Sequence, residues 1–118
     1  LGYLQSIAFR ACRMVVDTGL HAKGWGREQA VQFFMQKNGN KREEIASEVD
    51  RYCSWPGQAC GYKMGHSEIN RQRTRAQTAL GSAYDLRDFD QAVVNGGNVP
   101  LDVLATNIDE YIATSRKR

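Results

Sequence analysis

Apolar residues recur along this chain at three- and four-residue steps, interrupted by Gly, Pro and Asn. That spacing predicts helices throughout and no strand. The first is expected over residues 2–16, where Leu4, Ile7, Ala8, Ala11, Met14 and Val15 form an apolar stripe. The second covers about 27–37, with Ala30, Val31, Phe33 and Phe34 facing inward. Asn38-Gly39 should stop it, because Gly tolerates the left-handed cap conformation. Asn40 then caps a third helix, with Glu43 three residues on as a capping box requires. Ile45, Val49, Tyr52 and Cys53 line one side of it. Trp55-Pro56 ends that helix, since the residue before Pro avoids the α region, and Pro56 can open a fourth over 56–80. Its stretch Arg71-Gln72-Arg73-Thr74-Arg75 is polar and is expected to face water or a partner. Asp85 and Asp88 begin a short fifth helix with Leu86, Phe89 and Val93, ended by Asn95-Gly96-Gly97. Pro100 opens the last, with Leu101, Leu104, Ile108, Tyr111 and Ile112 on one face. The expected fold is all-α, about six helices in an irregular bundle. No repeat and no shift of composition divides residues 1–118, so one segment is expected.

Composition agrees with a globular helical chain. Of 118 residues, 42% are hydrophobic and 25% charged, enough for a modest core and too apolar for disorder. The net charge of +3, concentrated partly in Arg116-Lys117-Arg118, is too small to argue for nucleic acid. No apolar run approaches the ~20 residues of a membrane span. The chain begins at Leu1 rather than Met, which leaves the compartment open between cytoplasm and cell envelope. Cys12, Cys53 and Cys60 have neither metal-type spacing nor the even count of a disulfide framework, and are expected as buried thiols.

Candidate chemistry lies in two clusters. Arg10, Arg13 and Asp17 share the side of the first helix opposite its apolar stripe, and Arg13 and Asp17 are spaced to pair. Beyond the expected helix end comes Asp17-Thr18-Gly19-Leu20-His21, followed by Trp25. Thr18-Gly19 allows a tight turn. Asp17 is placed to accept the Nδ1 proton of His21 and aim the other ring nitrogen outward. The competing reading is a solvated helix face with an exposed ion pair. In the second cluster, Gln58, Tyr62, Gly65 and Ile69 fall on one face of the fourth helix. A phenol there can donate to a developing oxyanion, or simply sit half-buried with its hydroxyl at the surface. His21 and His66 are the two histidines, and no H-E-x-x-H accompanies them, so no zinc site is expected within this chain.

Both clusters, in register, are similar to the C-terminal part of the bacterial "domain of unknown function 885" family. The resemblance rests on Arg10 and Arg13, Val16-Asp17-Thr18-Gly19 with His21 and Trp25, and Arg27-Glu28-Gln29-Ala30. It continues through Glu48-Val49-Asp50-Arg51-Tyr52, Trp55-Pro56-Gly57-Gln58, Tyr62, Gly65, Arg73 and Pro100-Leu101-Asp102-Val103-Leu104. Family members are longer and resemble helical zinc metallopeptidases. The resemblance implies that this chain ends such an enzyme, with zinc bound upstream in the full-length protein. It also implies that His21 and Tyr62 polarise the scissile carbonyl, and that Arg10, Arg13, Asp17 and Gln58 support or bind substrate. The partners would be the N-terminal remainder of the same protein and a peptide substrate, with self-association of the isolated segment. Gly26, at a helix start, and Ser67, Asn70 and Gln72, in expected packing positions, depart from the pattern. A second reading remains, a free-standing helical interaction module without catalysis.

Overall fold

The structure is a computed structural model and describes residues 1–117; Arg118 of the basic tail lies outside the described residues. Six α-helices occur among them, with no strand. They are α1 (Gly2–Ala22), α2 (Arg27–Asn38), α3 (Arg42–Ser54), α4 (Gly61–Leu80), α5 (Leu86–Asn95) and α6 (Leu101–Arg116). No helix among the described residues is long and apolar enough to cross a membrane. The chain forms two compact units, Leu1–Met64 and the residues from Gly65 onward.

In the first unit α1 departs most from expectation. It runs past Val16 to Ala22, so the Asp17–His21 stretch is helical rather than a turn. Thr18 is tolerated because its hydroxyl bonds back to the Met14 and Val15 carbonyls at 2.9 and 3.0 Å. Asp17 does not compete for the local backbone because its carboxylate is used elsewhere. Gly24, at φ +70°, supplies the left-handed residue that ends the helix. The Trp25 N–H then reaches back six residues to the Gly19 carbonyl at 2.9 Å and closes the helix end. The Trp25 indole lies on Gly19 so closely that a Cβ there would overlap the ring.

The buried side of α1 is also not the expected one. Cys12, Arg13, Val16, Asp17 and Gly19 are buried. Leu4 is 67% exposed and Val15 39%, and Ile7, Ala8, Ala11 and Met14 between them are only partly covered. The apolar stripe is where the periodicity puts it, but this unit packs against the opposite side of the helix, the side that carries Arg13 and Asp17. There Val16 joins Ala30, Val31 and Phe34 of α2, Ile45, Val49 and Tyr52 of α3, and Ala59.

Helix α2 ends as expected at Gly39, φ +74°, whose N–H bonds the Met35 carbonyl at 3.0 Å. The capping box before α3 is absent. Lys41 is the cap residue and its ammonium has no acceptor to offer, while the Asn40 side-chain oxygen accepts from Asn38. Cys53 is exposed, Cys12 buried and Cys60 partly buried, so the buried-thiol expectation fails at Cys53. Burial pushes the Cys12 and Cys60 thiols above their ordinary pKa. Pro56 does not open α4. A 3-10 turn, Gln58–Cys60, intervenes, and Gln58 therefore lies outside the helix that carries Tyr62.

The second unit packs Ala76 and Leu80 of α4 on Phe89 of α5 and Leu104, Ile108 and Ile112 of α6. Asp85 caps α5 by accepting the Asp88 N–H at 3.1 Å, as the sequence predicts. The polar stretch of α4 is not wholly solvent-facing. Gln72 is buried, donating to Glu68 at 2.7 Å and accepting from Arg75 at 2.9 Å. Arg75 in turn bonds the Ala105 carbonyl and Asp109 on α6.

Candidate functional site

The site is built where α1 meets the turn after α3. Residues Trp55-Pro56-Gly57 lead out of α3, and Gly57 takes φ +86°, a conformation that favours glycine. This turn aims the Gly57 and Ala59 backbone N–H groups at Asp17. The Asp17 carboxylate, 2% exposed, accepts from Gly57 N at 3.0 Å to both oxygens and from Ala59 N at 3.2 Å. The buried charge is thus met by amide dipoles, and it fastens the 3-10 turn to the middle of α1. Each N–H left without that partner would cost about 1–3 kcal/mol.

One turn earlier on α1, Arg13 is also buried, at 6% exposure. It is not paired with Asp17. Its Nη2 donates to Gln58 Oε1 at 3.1 Å, and its guanidinium lies 5.5 Å from the Tyr52 ring centroid and 5.1 Å from that of Tyr62. These are cation–π distances. Arg13 Nε is buried without a hydrogen-bond partner. Arg10 lies 5.2 Å from the same Tyr62 ring and donates to the Ser6 hydroxyl and carbonyl. Tyr62 is 55% exposed, so its ring is oriented by two cations while much of its surface stays open. The solvated-face reading of Arg13 and Asp17 is therefore overturned, since both are interior.

His21 takes an orientation other than the expected one. Its Nε2 stands 2.9 Å from the Tyr52 carbonyl and 4.0 Å from Asp17 Oδ1. A carbonyl only accepts, so Nε2 carries a proton and donates a hydrogen bond to Tyr52. Asp17 is too far to hydrogen-bond the ring. His21 and Tyr62 thus join the cluster through different residues, His21 through the backbone of Tyr52 and Tyr62 through two arginines.

Tyr52 and Glu48 are site residues that the pattern of apolar positions hides. Tyr52 reads as a core residue of α3, and its ring is buried. Yet its hydroxyl donates to Glu48 Oε2 at 2.9 Å, and Arg51 donates to the same oxygen at 2.7 Å. Burial first, and the Glu48 bond second, push the phenol above its ordinary pKa. The four-residue spacing of Glu48 and Tyr52 was the available signal. Among the described residues no three His, Cys, Asp or Glu side chains are grouped as a metal ion requires.

Comparison with known proteins places this arrangement in context. The family described as "Bacterial protein of unknown function (DUF885)" matches residues 1–108. The chain is similar to a protein from Colwellia psychrerythraea whose crystal structure is described as that of a "putative lipoprotein". The identity is 43%, the TM-score 0.95, and the match covers 97% of this chain and 20% of that one. The chain therefore spans about a fifth of the length of the solved protein it matches. Comparison with curated proteins finds no match.

Proposed function

This chain belongs to the DUF885 family of bacterial proteins, and from that premise we propose that it is the C-terminal part of a zinc-dependent peptidase. In that reading it forms one wall of the cleft and presents Tyr62 to the scissile carbonyl. The observation that carries it is the Tyr62 phenol, oriented by Arg10 and Arg13 yet 55% exposed. A donor held in place before reaction is what stabilises a developing oxyanion.

Zinc, which the family resemblance implies for the whole protein, finds no ligand set among the described residues. The part of this chain is to bind and orient the peptide and to hold a proton at the Tyr62 hydroxyl. His21 is the second group directed at the carbonyl, with its Nε2 held on the Tyr52 carbonyl. Asp17 acts through Gly57 and Ala59, positioning the turn that carries Gln58.

The uncovered stripe of α1, from Leu4 to Val15, supports a place within a larger protein. The same stripe favours the second reading, a helical interaction module without catalysis. Assay of the full-length protein against a peptide mixture, with metal content measured alongside, separates the two. The peptidase reading expects hydrolysis, strongly reduced in His21→Ala at unchanged zinc content. A full-length protein that cleaves no peptide with its metal bound would contradict it.

A further inference from the structure

Arg13 is a permanent cation held in the interior, and its Nε–H meets no acceptor. Gln58 takes one Nη2 hydrogen, and the rings of Tyr52 and Tyr62 cover the guanidinium. A second guanidinium, that of Arg10, is drawn to the same Tyr62 ring and is held by Ser6 alone. The carboxylates of this unit that stand in the cluster are committed elsewhere. Asp17 binds the Gly57 and Ala59 amides, and Glu48 binds the Tyr52 hydroxyl and Arg51. Two like charges are thus gathered at one aromatic ring, with a carboxylate bonded to neither. The arrangement is that of an anion receptor.

We infer that Arg13 and Arg10 bind a carboxylate of the peptide. The inference rests on the proposed peptidase reading and names the substrate class, peptides with a carboxylate close to the bond that is cut. The planar fork of an arginine matches a carboxylate with two parallel hydrogen bonds. Arg10 is partly exposed, and Tyr62 and Gln58, which the two arginines contact, are exposed. Consecutive Cα atoms are about 3.8 Å apart. A peptide carboxylate seated at guanidinium groups 5.1 and 5.2 Å from the Tyr62 ring therefore brings one of the last carbonyls of the peptide to the phenol.

The test uses the full-length protein and one peptide prepared in three forms: free C-terminus, C-terminal amide, and amide with an acidic last side chain. Binding is read by calorimetry at fixed ionic strength, so that it does not depend on turnover. The wild type is expected to bind the free acid at least ~10-fold tighter than the plain amide, as for a charge-assisted hydrogen bond. Arg10→Gln, at a partly exposed position, should abolish that preference, and Arg13→Lys should reduce it, with the circular dichroism spectrum unchanged. Tight binding of the acidic amide assigns the same receptor to a side-chain carboxylate and upholds the inference. Equal binding of all three forms by the wild type overturns it, as does a preference that survives in Arg10→Gln. If the free acid is preferred but no peptide is cleaved, the peptidase reading fails while the carboxylate receptor stands.

Discussion

Asp17 in the middle of α1 accepts the Gly57 backbone N–H at 3.0 Å on each carboxylate oxygen, across forty residues of chain. With the bond from Ala59 at 3.2 Å, this interior carboxylate determines where the turn bearing Gln58, and the start of α4 bearing Tyr62, stand against α1. Asp17→Ala removes the acceptor and strands both amides. The expected loss is about 2–4 kcal/mol in urea unfolding, from two unsatisfied donors. Asp17→Asn, with one oxygen left, should lose less. Wild-type stability in the alanine variant would show that the turn is held by something else.

Trp25 and Gly19 make a second structural prediction. A Cβ at residue 19 would overlap the indole, so Gly19→Ala should destabilise by roughly 1–3 kcal/mol through overpacking. In a Trp25→Ala background the same substitution should cost far less, because the two residues share one space. Equal costs in the two backgrounds, measured by chemical unfolding, would contradict the contact.

Tyr52 predicts an alkaline dependence. Its folded pKa is raised by burial and by Glu48, above an unfolded value of about 10. The folded state therefore holds the proton more tightly. The stability contribution is complete below the unfolded pKa and is lost as pH rises through the folded one. Tyr52→Phe should flatten the fall in stability above pH ~10, by removing this titration. An unchanged alkaline slope would mean that the phenol is not protected.

Glu68 predicts the opposite limb. Hydrogen bonds from Arg71 and then Gln72 lower its pKa to about 2. Its contribution is present above the unfolded carboxylate range and is lost as pH falls toward about 2. Glu68→Gln should make acid unfolding of the second unit less steep. An identical acid transition in that variant would remove Glu68 from the account.

Helix content and most helix boundaries were legible from apolar spacing, from the stop at Gly39 and from the start at Pro100. The extent of α1 was not, because Thr18 and Gly19 suit a turn as well as a helix. What decides between them is distant, namely Gly57 and Ala59 taking up Asp17, and Trp25 covering Gly19. The choice of buried face failed for a related reason. A stripe of apolar residues does not say what covers it, and here this unit buries the opposite side of the helix. The clustered residues Arg10, Arg13, Asp17, Gln58, Tyr62 and His21 stood out in the sequence by type and spacing. Their partners did not, since the ring of Tyr52 reads as core and its backbone carbonyl leaves no trace in a sequence.

The stripe itself gives a prediction for the isolated 118-residue chain. With Leu4 and Val15 uncovered, it should bind an apolar dye and self-associate as concentration rises. Leu4→Lys with Val15→Lys should reduce both. Dye binding and sedimentation unaffected by the pair would show that the stripe is not the adhesive surface.

The measurement that bears most directly on the central claim is the steady-state rate of Tyr62→Phe in the full-length protein. The substitution keeps the ring that Arg10 and Arg13 face and removes only the hydroxyl proton. An oxyanion donor predicts a fall in kcat of about 10²–10³-fold with KM nearly unchanged. Peptide hydrolysis at the wild-type kcat would contradict the assignment of Tyr62 and, with it, the role given to this wall of the cleft.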